Sequence, residues 1–255
     1  MIFCCAAVIA LSGRASNAFE HQDSRASGMG GTVMPGGIHP CCAMAWEDRY
    51  AAVAASRSAP YSIQGLAASK VALDIHGEGK WLSASWGALG HDLYREDRFS
   101  IETALVVAGR FLAIGCRGEM TRRKVEGATA EREALTAAAV EIFFKGGLAL
   151  QVDRPILRGA RGGGDDFRVR AAVVAGGLRL SFNRIISIDG YAENRFGASI
   201  PAAAGASLLL GYRPGTEIIS AGLHSSGKNL NICFSWESHP VLGNTFSALV
   251  ERIWR

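Results

Sequence analysis

The sequence predicts an all-β chain, folded as a closed antiparallel up-and-down transmembrane β-barrel of about 14 strands. Three observations predict it. From about Arg49 onward, short segments alternate apolar and polar residues with a period of two, which gives each strand one face for an apolar medium and one for a polar medium. The breaks between segments alternate in length, as when tight turns fill one rim of a barrel and extended loops the other. Finally, 49% of the residues are apolar and 20% charged, yet no apolar run reaches the length of a membrane-spanning helix. A barrel reconciles the last two facts, because its backbone groups pair between strands and no long apolar run is needed.

The chain divides into residues 1–18, 19–48 and 49–255. Residues 1–18 read as a signal peptide: Ile2 to Leu11 is an apolar core, and Ser16-Asn17-Ala18 offers small residues for cleavage, leaving a mature start near Phe19. The first strand is expected near Arg49 to Ser58, followed by a loose connection over Ala59 to Ala68. His76-Gly77-Glu78-Gly79 is a glycine-marked hairpin turn. The polar run Gly90 to Asp97 is expected as a long connection, and Gly109-Arg110 as a short one. The charged stretch Arg122 to Glu133 is answered by Lys145-Gly146-Gly147, and Arg154 to Asp166 by Gly176-Gly177. Further breaks fall near Gly190, Ala203, Pro214, Ser226 and His239.

Within the strands, Val71, Leu73 and Ile75 alternate with Lys70, Asp74 and His76; Phe99, Ile101, Leu105 and Val107 alternate with Ser100, Glu102 and Ala104. Leu148, Leu150 and Val152 lie opposite Gln151 and Asp153, and Leu230, Ile232, Phe234 and Trp236 lie opposite Asn231, Ser235 and Glu237. A soluble two-sheet sandwich would show the same alternation, with the apolar face turned inward. Charge placement favours the barrel: Arg168, Arg170, Arg179, Glu102, Glu141 and Glu251 fall mid-strand on the polar face, where a wet lumen tolerates them. Arg184 alone breaks the rule, marking a bulge or a rim.

Other function classes find little support. The formal charge of +4 is spread out, with no basic block of the kind that binds nucleic acid. Cys41 and Cys42 are adjacent, and Cys116 and Cys233 fall in different strands, so no disulfide framework is expected. His39 beside Cys41 and Cys42 lacks a second ligand pair, so neither metal nor cofactor is expected. No G-x-S-x-G elbow, phosphate loop or H-E-x-x-H motif occurs. His91-Asp92 with Glu96 is the nearest approach to an acid and base pair, and polar loops contain such residues by chance, so the chain is expected not to be an enzyme. Arg122-Arg123-Lys124 reads as a solvated loop that could touch acidic surface lipids.

Three stretches carry a resemblance. Ser24-Arg25-Ala26-Ser27-Gly28-Met29-Gly30-Gly31-Thr32 is similar to the segment that opens FadL-like and PorV-like outer-membrane proteins. Ile38-His39-Pro40-Cys41-Cys42-Ala43-Met44 lies where those proteins carry Asn-Pro-Ala, with His39 in place of Asn and Cys41 in place of Ala. His239-Pro240-Val241-Leu242-Gly243-Asn244-Thr245-Phe246-Ser247 resembles the turn and final strand of PorV-like barrels, and Trp254 supplies the aromatic that barrel-assembly machinery reads, with Phe246 earlier on that strand and Arg255 after it.

The resemblance implies a fourteen-stranded barrel in the cell outer membrane, with both termini in the periplasm. It further implies that residues 19–48 form an N-terminal plug, to which Arg25, Gly28, Met29, Gly30, Gly31, His39 and Pro40 would belong. FadL-like members pass long-chain fatty acids and other hydrophobic molecules inward, while PorV-like members act as partners in protein secretion and surface attachment. Transport is the first expectation and the secretion partner the alternative. The expected partners are outer-membrane lipid, a hydrophobic small molecule and the assembly machinery. Arg117, Arg168, Arg170 and Arg179, with Glu102 and Glu141, are the candidate lumen residues; cross-barrel pairing of Arg with Glu competes with ligand binding as their role.

Overall fold

A computed structural model of the chain describes residues 50–91, 93–108, 111–144, 148–158, 167–175, 177–187 and 190–254. The expected signal peptide and the expected plug segment, with Arg25, Gly28, Met29, Gly30, Gly31, His39 and Pro40, lie outside the described residues. Within them the chain forms fourteen strands: β1 (Tyr50–Ala59), β2 (Ala67–Gly77), β3 (Lys80–His91), β4 (Tyr94–Ala108), β5 (Leu112–Val125), β6 (Glu131–Phe144), β7 (Leu148–Arg158), β8 (Phe167–Ala175), β9 (Leu178–Ile186), β10 (Ala192–Ala203), β11 (Ala206–Arg213), β12 (Ile218–Ser226), β13 (Leu230–His239) and β14 (Gly243–Trp254). Each pairs antiparallel with its sequence neighbours. β14 returns to β1 from Ala51↔Trp254 to Ala59↔Phe246, so the sheet closes. Pairing β1 with β14 removes the two open edges that a flat sheet would present, which hydrocarbon would penalise by several kcal/mol per exposed polar group.

The two faces of this sheet invert the usual protein interior. Val71 and Ile75 are both 47% exposed on the outside, in line with Leu73, Trp86, Phe99, Ile101, Leu105, Ile114, Phe234 and Val250. Inward positions hold Lys70, Asp74, Glu102, Glu141, Arg168, Arg170, Asn183, Glu193, Arg195, Arg213, Glu237 and Glu251, all of them buried. A sandwich would bury the first set and expose the second, so the arrangement is a barrel with an apolar girdle. Three register shifts occur, between Val106 and Ala108, Thr136 and Ala137, and Pro201 and Ala203. The last accommodates Pro201, which cannot donate to a ladder.

The connections divide between two rims. One, here the terminal rim, carries the start of β1, the end of β14 and the turns after the even-numbered strands up to β12; the far rim carries the others. Turns at the terminal rim are tight: Gly205 adopts φ +74° between β10 and β11, and a Cβ there would meet the Ser226 carbonyl oxygen at 2.6 Å. At the far rim the expected length contrast is smaller than the sequence suggested. Gly90 to Asp97 is strand on both sides of a connection at residues 92–93, and Arg122 to Val125 and Glu131 to Glu133 are strand around a connection at residues 126–130. Arg154 to Arg158 belongs to β7, and residues 159–166 lie outside the described residues. The reason is that charged residues keep the two-residue alternation there: β4, β5 and β6 continue past the apolar band as a hydrogen-bonded extension, where both faces can be polar. Arg184 is exposed on the outer face two residues before the end of β9, with no register shift beside it; it marks the rim and not a bulge.

Candidate functional site

Strand alternation fixes which side chains meet in the lumen. Near the far rim these are mostly charged and paired. Glu96, fully buried on β4, accepts hydrogen bonds from the Tyr94 hydroxyl (2.6 Å), Arg98 Nη2 (3.3 Å) and Arg123 Nε (3.2 Å). Arg98 Nε also lies 3.3 Å from Glu119 Oε1, and Arg123 Nη1 lies 3.1 Å from Glu133 Oε2. The network spans β4, β5 and β6, and each guanidinium is shared between two carboxylates. Across the barrel, Arg195 pairs with Glu193 at 3.0 Å and Arg213 with Glu237 at 2.9 Å. These are charge-assisted hydrogen bonds between groups withdrawn from water, where loss of either partner is costly.

The connection between β1 and β2 bends over that rim. Tyr61, with φ +55°, donates its backbone N–H to Thr245 Oγ1 at 2.9 Å, and Ser62 Oγ donates to the Asn244 carbonyl at 3.0 Å. The Tyr61 ring meets His239 edge-on at 6.1 Å. Burial pushes its phenol above the ordinary tyrosine value, with Glu237 adding to the effect and Arg213 opposing it. The ring is thus within electrostatic reach of the Arg213–Glu237 pair.

Further toward the terminal rim, the inner wall turns largely to small apolar side chains. Trp81 of β3 lies across Ala104, Ala113 and Ala139, with Tyr50 and Val106 against the same cluster. On the other side Ala54, Leu209, Cys233 and Leu249 pack together, and Ala52, Ala149 and Ala172 also face inward. His76 stacks on Tyr50 at 3.9 Å and stands 6.2 Å from Trp81. Asp74, Glu141 and Glu251 are the buried acids at this level, the last accepting a hydrogen bond from the Asn231 amide.

Of the lumen residues expected from sequence, five come together on the inner wall of β4 to β8. Glu102 and Arg117 face each other across the β4–β5 pair. Arg168 is within electrostatic reach of Glu119, and Arg170 of Glu141. Arg179 does not join them: it is exposed in the second position of β9, at the terminal rim. Phe246 and Trp254 are exposed on the outer face of β14, and Trp254 carries the Arg252 guanidinium 5.6 Å above its ring. Sequence reasoning missed Glu96, Arg98, Arg123, Arg195, Arg213 and Trp81. For Glu96 and Arg123 the signal was strand parity, hidden by reading their segments as loops; Arg98 follows the first of those segments directly, and Arg195 and Arg213 sat where Ala and Gly dilute the alternation. Of His91, Asp92 and Glu96, Glu96 is buried in ion pairs and His91 is exposed at the end of β3, while Asp92 lies outside the described residues. Cys116 faces outward and Cys233 inward.

No family model matches the sequence, and no curated protein matches it. Solved structures do. The chain is similar to the outer membrane protein Omp33 of Acinetobacter baumannii at TM-score 0.58 and 6% identity, covering 82% of this chain and 100% of that one. A FadL homologue of Pseudomonas aeruginosa aligns at TM-score 0.60 and 8% identity, over 91% of this chain and 98% of that one. The TodX monoaromatic hydrocarbon channel, as a deletion mutant, aligns at TM-score 0.64 and 8% identity, over 89% and 96%. At such identities the likeness is one of fold: a closed outer-membrane barrel. With its continuous apolar girdle, the chain is an outer-membrane protein.

Proposed function

We propose that the protein is a passive conduit for small molecules with an apolar body and an anionic head, long-chain fatty acids being the type substrate. The inner wall carries this reading: a charged far rim containing guanidinium groups leads to a wall nearer the terminal rim in which Ala, Leu, Cys and Trp are interrupted by the buried acids Asp74, Glu141 and Glu251. Arg117, Arg168 and Arg170 lie between the two zones, where a carboxylate would pause while its chain seeks the apolar lining. Because the inward side chains are buried, passage requires ion pairs to part, and the barrel differs in this from a wide water-filled bore. The fold shared with a FadL homologue and with a hydrocarbon channel supports the reading.

The test is entry of a fluorescent fatty acid into vesicles containing the full-length chain. Replacing Arg168 and Arg170 together by Gln removes two charge-assisted anchors and is expected to slow entry about tenfold or more. Entry equal to that of empty vesicles, or unchanged in the double variant, would sink the proposal. A filled inner wall also suits a barrel that serves as a membrane partner in protein secretion, as PorV-like proteins do. A stable complex with a larger membrane protein in mild detergent, together with no transport, would favour that second reading.

A further inference from the structure

Arg122, Arg123 and Lys124 are consecutive on β5, so alternation sends them to opposite faces. Arg123 turns inward to Glu96 and Glu133. Arg122 and Lys124 turn outward and are exposed. On β6, directly opposite Arg122, stands Arg132, also exposed; on β4, opposite Lys124, stands Arg95. Two pairs of like charges thus face each other across adjacent strands, an arrangement that destabilises a sheet unless something compensates it. On this face of the three strands the carboxylate is Asp97, opposite Arg122 and engaged by Arg95 at 2.9 Å, and Glu126 is exposed in the connection just beyond Lys124. Arg122, Lys124 and Arg132 have no ion-pair partner among the described residues.

The position of the patch decides its partner. Two residues nearer the terminal rim on the same strands and the same outer face stand Phe99, Met120 and Ala134, in one cross-strand row that continues through Trp86 to Val71. Phe99, Met120, Trp86 and Val71 are exposed apolar side chains of the girdle. Arg122 and Arg132 therefore stand one side-chain step beyond the hydrocarbon, and Arg95 and Lys124 two, at the depth of lipid headgroups. Guanidinium groups bind phosphate oxygens through two parallel hydrogen bonds, and a phosphate between Arg122 and Arg132 would relieve their mutual repulsion.

We propose that the outer face of β4, β5 and β6 at the far rim is a binding site for the phosphate groups of an anionic lipid in the adjoining leaflet. The site is independent of the lumen and of any transported molecule. With the termini in the periplasm this leaflet is the outer one, and a phosphorylated lipid would sit against Arg122, Lys124 and Arg132 with its acyl chains on Phe99 and Met120.

The test is native mass spectrometry of the full-length chain in detergent, titrated with phosphatidylglycerol, phosphatidylcholine or inorganic phosphate. Phosphatidylglycerol is expected to bind more tightly than phosphatidylcholine, and the double variant R122Q/R132Q to bind it about 30-fold more weakly. R184Q, remote from the patch on β9, is expected to bind as the unsubstituted protein does. Heat-dependent gel migration verifies that each variant is folded. Should the double variant not fold, a salt titration of the unsubstituted protein takes its place: phosphatidylglycerol affinity falls with ionic strength if the patch is the site. Equal binding of the two lipids, equal loss in R184Q, an affinity independent of salt, or displacement of the lipid by equimolar inorganic phosphate would each overturn the proposal.

Discussion

Replacing Leu73 by Arg is the most direct test of what surrounds the barrel. Leu73 lies at the middle of the outward residues of β2, between Val71 and Ile75, with Val53 of β1 and Ala84 of β3 directly opposite. It is 43% exposed, so Arg at this position meets no crowding from the protein itself. In water such a surface substitution changes stability by about 0.5 kcal/mol or less. At the midplane of a bilayer the same change costs about 2 to 4 kcal/mol, because the guanidinium must be desolvated or must deform the lipid. The two environments thus differ by more than the error of a denaturant titration. The measurement is reversible urea or guanidinium unfolding in vesicles, followed by tryptophan fluorescence, with Leu73→Ala as the control for lost apolar contact. The expectation is an L73R variant at least 2 kcal/mol less stable than the parent and clearly below L73A. A value within 0.5 kcal/mol of the parent would refute the assignment of that face to lipid.

Three more outcomes follow from particular side chains. Glu96→Gln strips the shared carboxylate from Arg98 and Arg123, which keep Glu119 and Glu133, and is expected to cost about 3 kcal/mol in the same titration. Trp81→Ala empties the space over Ala104, Ala113 and Ala139, with an expected loss of about 3 to 5 kcal/mol; a loss below 1 kcal/mol would mean that the ring is not packed against that wall. Gly205→Ala places a Cβ against the Ser226 carbonyl and forces φ +74° on a residue with a side chain, so the folded yield and the unfolding midpoint should both drop, whereas Gly118→Ala, with open space around its Cβ position, should leave them unchanged.

Much of the architecture was legible because a barrel in lipid depends on a pattern that single residues carry. Each strand shows its two faces in its own alternation, as Val71, Leu73 and Ile75 do against Lys70, Asp74 and His76. The strand count followed from the breaks, and the ambiguous stretch between Ile185 and Gly215 resolves into the end of β9, β10 and β11. Reading went astray where polarity was taken to mean loop. Tyr94 to Asp97, Arg122 to Val125 and Glu131 to Glu133 carry charge on both faces where the sheet extends past the apolar band, and charge content alone does not separate such an extension from a connection.

The sequence by itself determined an all-β chain, its approximate strand number, and the inward parity of Glu102, Arg117, Glu141, Arg168 and Arg170. These are local properties, set by a period of two along each segment. Only the tertiary structure decided that β1 closes on β14, that Glu96 is shared by Arg98 and Arg123, that Arg179 stands at a rim, and that Arg122 faces Arg132 on the outside. Those depend on register, which brings together residues of different strands at a common height; alternation within one strand fixes the face of a side chain but not its neighbours.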